Sequence, residues 1–527
     1  MIALGLAVLH LVMALAAFNP APHVGGDNGA YVSLARSLLE RGQYLELWDP
    51  SMRPHTQYPP VFPGILALAM AVGIKPWVGL KLVVVAFSVG AVALSYLWLR
   101  RVTTPVIALF AGLFLAVAPG VLDQAHWELS DTPFWTFTML ALWAFAHAPL
   151  EPGRAETKRD WKWLALGIAA TVLAYFTRSA GLPLVVSVLA WMALRRRWKP
   201  LLAAALAVGI PAVLWWMRGK AYGAPGYLSS FWAIDPYRPS RGEIGPLGLF
   251  PRAWTNLTDS YIADHLPNVF FGGTLLALRM AASVVLVLAL IGWARRLRRP
   301  GVAEGFFLLY GGLVLVWPVT WSGTRFVIPL LPFLVLYAGE VVRDAAAQLR
   351  RPLLATGAVG TLFLATVLFG VAGQVISETE CRAEYAGGNR FPCMMNVWQD
   401  LFSLAEAMRG RLPEGSVVVN RKPTLFYVMS GYRGRVYPLS ADPDTFFKAA
   451  DEIGAKWVVV DQVMDLAPRY LHPVLLARRD DFCVVPDPTF PEAALARIDT
   501  AGPPRPPNAP PNAFRNCPLV PVPTLFR

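Results

Sequence analysis

The first residues whose types could support chemistry stand in Gly25-Gly26-Asp27-Asn28-Gly29-Ala30-Tyr31, directly after the first hydrophobic segment. A helix with one apolar and one polar face lies on a membrane surface rather than crossing it. The carboxylate of Asp27 could act there as a general base that takes the proton of a hydroxyl group. Asp27 could equally cap the helix, because Gly-Gly-Asp before a helical pattern is a good helix start. Apolar residues recur at the spacing of one helical face at Leu34, Ala35, Leu38 and Leu39.

A second polar group occupies the segment 119–130 and the residue that follows it. Glu128 stands one helical turn before Asp131, so the two carboxylates could line one site. Asp131 could instead only start a helix, because Ser-Asp-Thr-Pro is an N-cap pattern with Pro in the first turn. We interpret His126 as an interfacial side chain with at most a weak role in binding a sugar or acceptor. The acids and histidine of this group lack the spacing of a metal site.

Four basic residues could stabilise an anion near these acids. Arg178 and Arg325 each occupy a short turn at the end of a long apolar segment. Lys81 and Arg279 lie about five residues inside apolar segments, where an ionisable side chain is costly and indicates function. A phosphate group that leaves with growing negative charge would be stabilised by such cations. Alternatively, all four side chains only reach toward lipid headgroups.

Aromatic side chains near Asp27 could contact a sugar. Tyr31 follows Asp27 by four residues, and Tyr58 precedes Pro59-Pro60. The segment 218–273 is also rich in Trp, Tyr, Pro and Gly. These rings could stack on a sugar or shape an acceptor groove, but tyrosine and tryptophan are also common wherever a chain meets the membrane surface.

Composition places these residues in a membrane protein. Of 527 residues, 55% are hydrophobic and 15% charged, and the mean hydropathy is +0.46, which excludes an ordinary soluble protein. We interpret the first segment as a span, because it lacks a basic region and a cleavage site typical of a signal peptide. The pattern predicts about eleven spans, at 1–18, 77–99, 103–118, 131–148, 162–177, 180–194, 200–217, 274–294, 304–320, 326–342 and 352–376.

The run 64–74 is too short to cross a bilayer and is followed by Lys75-Pro76, so we predict an interfacial or re-entrant segment. With that reading, the basic clusters fall on one side of the membrane, among them Arg100-Arg101, Arg195-Arg196-Arg197 and Arg295-Arg296. The positive-inside rule then predicts a cytoplasmic N-terminus. The loops 22–76, 119–130 and 218–273 and the chain after residue 376 are predicted to be external. The net charge of +13 is explained by this orientation, so we do not predict a nucleic-acid partner.

All four cysteines lie beyond the last predicted span. An even number of cysteines in an oxidising compartment predicts two disulfides. Three connectivities are possible, and we favour the pairs that are nearest in sequence. Those pairs are Cys381 with Cys393 and Cys483 with Cys517.

The segment 377–527 is predicted to be a second domain. Its short β-branched runs at 416–420 and 456–461 each follow a glycine and a helical pattern. That alternation is typical of a small α/β unit with parallel strands. The predicted organisation is therefore a transmembrane domain, 1–376, with interfacial helices in its first external loop, and an external α/β domain, 377–527.

The order of these motifs resembles bacterial glycosyltransferases of the GT-C superfamily, closest to the branch of protein O-mannosyltransferases and the lipid A aminoarabinose transferase. The motifs are the first-loop acid, Tyr58-Pro-Pro-Val-Phe-Pro63, Leu129-Ser-Asp-Thr-Pro-Phe134, Thr324-Arg-Phe-Val-Ile-Pro-Leu-Leu-Pro332 and Arg421-Lys-Pro-Thr-Leu-Phe-Tyr427 with Ser430-Gly-Tyr432. This chain departs from the family at Asn28, where relatives often carry a second acid.

The resemblance implies an inverting glycosyltransferase in the cytoplasmic membrane of a bacterium. It would move a monosaccharide from a polyprenyl-phosphate carrier to a hydroxyl of a lipid, glycan or protein at the external face, with no cofactor and no essential metal. It implies Asp27 as base, Asp131 and Glu128 near the acceptor or sugar, and basic residues at the carrier phosphate.

Two other functional classes remain possible from the sequence. A transporter or lipid flippase would need ionisable residues along a path through the membrane, whereas those found here gather at one face. A non-catalytic scaffold would use the external domain to bind a partner. An oligosaccharyltransferase is disfavoured because the external domain has no Trp-Trp-Asp type motif.

Overall fold

The computed structural model describes residues 1–148, 157–223, 227–349, 351–485, 489–501 and 514–517. The first half of the described chain consists of helices. They are α1 (Ile2–Ala16), α2 (Asp27–Arg41), α3 (Val61–Ala71), α4 (Trp77–Val102), α5 (Pro105–Val117), α6 (Pro119–Gln124), α7 (Asp131–Phe145), α8 (Lys158–Thr177), α9 (Leu182–Leu194) and α10 (Trp198–Ala221).

The helical part continues to residue 386. Three short helices and a π-helix, Asn256–His265, precede four longer helices. The series is α11 (Tyr227–Trp232), α12 (Leu249–Thr255), α13 (Leu266–Phe271), α14 (Leu276–Arg296), α15 (Val302–Val316), α16 (Leu331–Ala346) and α17 (Pro352–Ala386).

Each of the eleven predicted spans overlaps one of these helices. Among the described residues, five helical segments are long and apolar enough to cross a membrane. They are Trp77–Val102, Trp198–Ala221, Leu276–Arg296, Thr324–Ala346 and Pro352–Ala386. The remaining apolar helices are shorter, so the number of eleven crossings stays a prediction.

The first loop contains α2 and α3, and neither is exposed as a simple surface helix would be. Helix α3 has 11 residues, about 16 Å of helix, which is too short to cross a hydrocarbon core of about 30 Å. It packs on one side of α2. The polar residues Asn28, Ser33 and Ser37 of α2 are buried, and α2 also packs against helix Pro423–Ser430 of the C-terminal part.

The chain after residue 386 forms a five-stranded sheet with flanking helices. The sheet has the order β1-β2-β4-β3-β5, in which β1 and β2 are parallel, as the sequence predicts, and β4 is antiparallel to both β2 and β3. The elements are α18 (Asn396–Ala407), β1 (Val418–Val419), α19 (Pro423–Ser430), α20 (Pro443–Glu452), β2 (Trp457–Asp461), α21 (His472–Ala477), β3 (Phe482–Val485), β4 (Ala493–Ile498) and β5 (Arg515–Asn516).

Two disulfides stabilise this part of the chain. They join Cys381 to Cys393 and Cys483 to Cys517, which is the favoured pairing. The first connects the end of α17 to the segment before α18. The second joins β3 to the residue that follows β5.

Helix α19 packs directly against α2 and thereby fixes the C-terminal sheet over the first loop. A Cβ atom on Gly29 would lie 2.6 Å from the backbone nitrogen of Leu425, so only glycine permits this approach. Arg435 adds a two-pronged ion pair to Asp49 of the first loop, with a shortest N–O distance of 2.6 Å. The first loop and the C-terminal sheet therefore form one packed layer.

Candidate active site

Asp27 is the first residue of α2, and Gly26 before it has a φ of 95°, a left-handed conformation that suits glycine. Its carboxylate contacts side chains from two other segments. The hydroxyl of Tyr58 donates to Oδ1 at 3.0 Å, and Nη1 of Arg325 donates to Oδ2 at 3.1 Å. These contacts, rather than the N–H groups of α2, are the hydrogen bonds described for the carboxylate, so its position is not that of a simple helix cap.

The Asp27 carboxylate is enclosed but reachable, because its side chain is 33% exposed. Burial acts to raise its pKa, whereas the charge and hydrogen bond of Arg325 and the hydrogen bond of Tyr58 act to lower it and prevail. The pKa of Asp27 therefore lies below its ordinary value. The carboxylate is ionised at neutral pH and can accept a proton.

Arg325 lies in the tight turn Thr324–Phe326, which precedes α16. The next residue, Phe326, presents its ring to two guanidinium groups. The ring centre lies 5.0 Å from the guanidinium carbon of Arg325 and 5.1 Å from that of Arg178. The two arginines predicted from separate external turns thus meet on one aromatic side chain.

Asp131, the first residue of α7, forms an ion pair with Arg178, which ends α8. Both side chains are largely buried. Next to Asp131, the hydroxyl of Ser130 is 2.9 Å from the hydroxyl of Tyr31 on α2. The starts of α2 and α7 are therefore joined, and the structure brings Asp27, Asp131, Arg178 and Arg325 into one neighbourhood.

Glu128 is fully buried and faces the backbone of the Asp27 loop rather than the Asp27 carboxylate. Its Oε2 accepts from the amide side chain of Asn28 and from the backbone N–H of His23, both at 3.3 Å. Asn28 also donates to the carbonyl of His23 and accepts from the N–H of Gly26. Asn28 is thus the donor that a neighbouring carboxylate requires.

Lys81 is 2% exposed and completes this network. Its ammonium group donates to the carbonyl of Ala21 and lies 3.6 Å from Glu128. His126 is buried with its ring against Phe18, and burial holds its pKa well below the ordinary value. These contacts hold the loop 19–26 in place.

Arg279 lies apart from this neighbourhood. It is exposed on α14 and lines a shallow apolar groove with Ile262, Met280 and Val284. No described contact joins it to Asp27 or Asp131. Tyr31 and Tyr58, by contrast, pack on each other with ring centres 4.9 Å apart, and Tyr58 touches Asp27 directly.

Two residues of the C-terminal part reach the site and were not among the predicted site residues. Lys422 donates to the carbonyl of Gly25 at 3.0 Å, and the hydroxyl of Thr424 donates to the carbonyl of Gly26 at 2.8 Å. Both belong to the motif Arg421-Lys-Pro-Thr, whose order was a sequence signal without an assigned role. Across the described chain, there is no group of three or more His, Cys, Asp or Glu side chains that could hold a metal ion.

The chain is similar to known proteins in part of its sequence and in its fold. Residues 57–216 match the family model described as dolichyl-phosphate-mannose-protein mannosyltransferase. The matched region includes Asp131 and Arg178 and ends before Arg325. No curated protein sequence matches the chain.

Several solved structures share the fold, and two of them cover most of this chain. The oligosaccharyltransferase AglB from Archaeoglobus fulgidus has 14% identity and a TM-score of 0.58, covering 93% of this chain and 74% of that one. ArnT from Cupriavidus metallidurans has 15% identity and a TM-score of 0.53, covering 95% of this chain and 98% of that one. AglB has been solved in complex with a dolichol-phosphate and ArnT bound to undecaprenyl phosphate. The predicted resemblance is confirmed at the level of the fold, and the family model matches one segment of the chain.

Proposed function

We propose, from this GT-C glycosyltransferase fold, that the protein is an inverting glycosyltransferase that uses a polyprenyl-phosphate-linked monosaccharide. Its acceptor is a hydroxyl of a lipid, glycan or protein at the external face of the cytoplasmic membrane. The observation that supports this most is the Asp27 carboxylate. It is ionised, partly exposed, fixed by Tyr58 and Arg325, and placed at the head of a helix that packs between α3 and α19.

In the proposed reaction, the acceptor oxygen attacks the anomeric carbon of the sugar while the bond from that carbon to the phosphate oxygen breaks. Asp27 takes the proton of the acceptor hydroxyl, and the carrier leaves as a polyprenyl phosphate. Attack opposite to the leaving group inverts the anomeric centre. A positioned carboxylate contributes about 10²- to 10⁴-fold to such a proton transfer.

Through Arg325, the pKa of Asp27 would depend on whether the sugar donor is bound. A bound phosphate would accept from the N–H donors of Arg325 that do not bond Asp27, since only one of the five is described as doing so, and its negative charge would offset the positive charge that acts on the carboxylate. Weakening the Asp27–Arg325 pair raises the pKa of Asp27, because the nearby cation is one cause of its lowered value. Donor binding would thus convert a weak base into a stronger one.

The remaining site residues take supporting roles. Arg178 and Arg325 would stabilise the carrier phosphate, and Asp131 would hold Arg178 in place and face the acceptor or sugar. Glu128 and Lys81 would set the loop that carries Asp27. The suggested phosphate contacts of Lys81 and Arg279 stay predictions, since the described contacts of Lys81 are with the loop and Arg279 lies elsewhere.

The proposal is tested with purified protein in phosphatidylcholine nanodiscs and a radiolabelled undecaprenyl-phosphate sugar. Membrane extracts from a strain that lacks the gene supply the acceptor. We expect the label to move to an extract component, with stoichiometric formation of undecaprenyl phosphate. A transporter or flippase would leave the sugar-phosphate bond intact, and that result with a panel of donor sugars would refute the proposal.

A further inference from the structure

The charged side chains near Asp27 differ in whether they form ion pairs. Three carboxylates each have a basic partner: Asp27 pairs with Arg325, Asp131 with Arg178, and Glu128 with Lys81. A fourth basic side chain, that of Lys422, also lies at this site. Within the described chain, Lys422 has no carboxylate oxygen within ion-pair distance.

Lys422 is fixed by the turn that follows β1. Its backbone N–H donates to the side chain of Asn420 at 3.0 Å, and Asn420 in turn donates to the carbonyl of Val418. The ammonium group lies 5.3 Å from the ring centre of Trp398 and bonds the carbonyl of Gly25. The side chain is therefore directed at the Asp27 loop by the sheet itself.

The Asp27 loop is shaped to admit this side chain. A Cβ atom on Gly26 would lie 3.1 Å from the ammonium nitrogen of Lys422 and 3.2 Å from its Cδ. Gly26 also has the positive φ that favours glycine. Glycine at position 26 therefore allows both the backbone conformation before Asp27 and the close approach of Lys422.

A buried cation without a paired anion is costly, and Lys422 is 9% exposed. A carbonyl oxygen and an aromatic face compensate its charge only in part. Asp461, the carboxylate at the end of β2, influences Lys422 through space but is not within ion-pair distance. The site therefore offers an enclosed positive charge beside the base, whereas Arg325, Arg178 and Lys81 are each paired with a carboxylate.

We propose that Lys422, supplied by the C-terminal domain, binds the phosphate of the polyprenyl carrier and stabilises it as it leaves. This assignment rests on the proposed function, which supplies the identity of the anion. Since the leaving phosphate gains negative charge, a desolvated ammonium group would act on it more strongly than one in water. The membrane helices alone would then form an incomplete site.

Titration of Lys422 offers a signature that a structural role would not produce. Burial first, and then Arg421, lower the pKa of Lys422 to about 8, while Asp27 and Asp461 oppose the shift and Arg325 adds to it. The pKa of Asp461 is raised by burial only to about 6, and arginine side chains in general keep their charge across this range. Lys422 is therefore the group among these that changes charge between pH 7 and 9.

The experiment measures the affinity of the full-length protein in phosphatidylcholine nanodiscs for undecaprenyl phosphate and for undecaprenol, which lacks the phosphate. Lys422→Met removes the charge and keeps the apolar stem, Lys422→Arg restores the charge, and Lys448→Met removes a charge from an exposed position on α20. Phosphatidylglycerol is added in a separate series as a competing anionic lipid.

We expect Lys422→Met to weaken undecaprenyl phosphate binding by about tenfold or more, the effect of losing a hydrogen bond to a charged group. Undecaprenol binding should not change, and Lys422→Arg and Lys448→Met should bind the phosphate like the wild type. Wild-type affinity should fall as pH rises through about 8, whereas Lys422→Arg should bind equally at pH 7 and 9 because its group keeps its charge.

Unchanged undecaprenyl phosphate affinity in a folded Lys422→Met protein would overturn the assignment, as would equal competition by phosphatidylglycerol. A failure of the proposed function would look different. In that case the wild-type protein would transfer no sugar from any polyprenyl-phosphate donor, whatever its affinity for the carrier.

Discussion

Asp27 is a carboxylate whose surroundings favour its ionised form before any substrate is bound. Arg325 and Tyr58 overcome the effect of burial and lower its pKa. A base works best when its pKa approaches the working pH, so the free site holds Asp27 oriented but weak. At the residue scale, the proposed mechanism therefore depends on how strongly these two partners hold the carboxylate.

Tyr58→Phe removes one hydrogen bond that lowers the pKa of Asp27. We expect the pKa of Asp27 to rise, because the ionised form loses a donor. The acidic limb of the pH profile of kcat/KM should then shift to higher pH. Tyr96→Phe is the matched control, since the Tyr96 hydroxyl contacts Arg100 far from the site. An unshifted acidic limb would contradict the assignment of that limb to Asp27.

Asn28→Asp tests whether the amide of Asn28 is needed beside the carboxylate of Glu128. The new carboxylate would face the carbonyl of His23 and the carboxylate of Glu128, with no proton to donate to either. We expect it to lower stability by about 1–3 kcal/mol or more, the cost of an unsatisfied buried polar group.

Combining Asn28→Asp with Glu128→Gln exchanges the two side chains. The amide then stands at position 128 and the carboxylate at position 28, so that one carboxylate remains near Lys81. The double variant should recover part of the thermal stability lost by the single variants, as expected for side chains in direct contact. Additive losses in the melting temperatures of the purified proteins would show that the two side chains do not interact.

Single residues differ in how far the sequence reveals them. Asp27, Asp131, Arg178 and Arg325 stand out because each is a charge at the end of an apolar segment, a position readable from local context. The role of Lys422 is not readable in that way. Its contact with Gly25 joins positions 397 residues apart, and neither residue has a local pattern that specifies the other.

At the scale of elements, the packing of α19 on α2 brings the C-terminal sheet to the loop that carries Asp27. Gly29→Ala places a methyl group 2.6 Å from a backbone nitrogen of Leu425, which cannot move independently of α19. We expect the two helices to separate, with lower sugar transfer and faster proteolysis of the C-terminal domain.

Gly64→Ala provides the matched control in the neighbouring helix α3. A Cβ atom on Gly64 would meet no heavy atom within 4 Å, and alanine favours a helix over glycine. Transfer and proteolysis of this variant should equal those of the wild type. Equal behaviour of the Gly29 and Gly64 variants would contradict the importance of the α2–α19 contact.

The patterns of apolar residues predicted the positions of the long helices, but they did not predict every strand of the sheet. The parallel pair β1 and β2 is β-branched and was predicted from sequence. Strand β4 reads Ala-Ala-Leu-Ala-Arg-Ile, which contains good helix formers. It is extended because it pairs with β2 on one side and β3 on the other, a tertiary effect that overrides local preference.

At the scale of the whole molecule, ion pairs and hydrogen bonds between distant segments form two separate groups. The C-terminal sheet packs on the first loop through Arg435 and Lys422. At other helix ends, Arg296 bonds Glu340 and the carbonyl of Val102, and also pairs with Glu304. The positive-inside rule assigns this second group to the cytoplasm, so the site and both disulfides are proposed to be external.

Cysteine labelling tests this orientation in intact bacterial cells that express the protein. Lys448→Cys on α20 should react with a membrane-impermeant maleimide added outside, after the outer membrane is made permeable. Arg298→Cys, just beyond α14, should react only after lysis. Both positions are exposed, so burial cannot explain a difference. Labelling of Arg298→Cys in unlysed cells would reverse the proposed orientation.

The central claim is that the Asp27 carboxylate is the base for sugar transfer, and Asp27→Asn tests it most directly. Asparagine keeps the size of the side chain and an oxygen that can accept from Tyr58, but it cannot take the proton. The measurement is the rate of transfer from a radiolabelled undecaprenyl-phosphate sugar by purified protein, with Asp444→Asn at an exposed position as control. We predict a loss of about 10²- to 10⁴-fold for Asp27→Asn at unchanged melting temperature. Transfer by Asp27→Asn at the wild-type rate would contradict the claim.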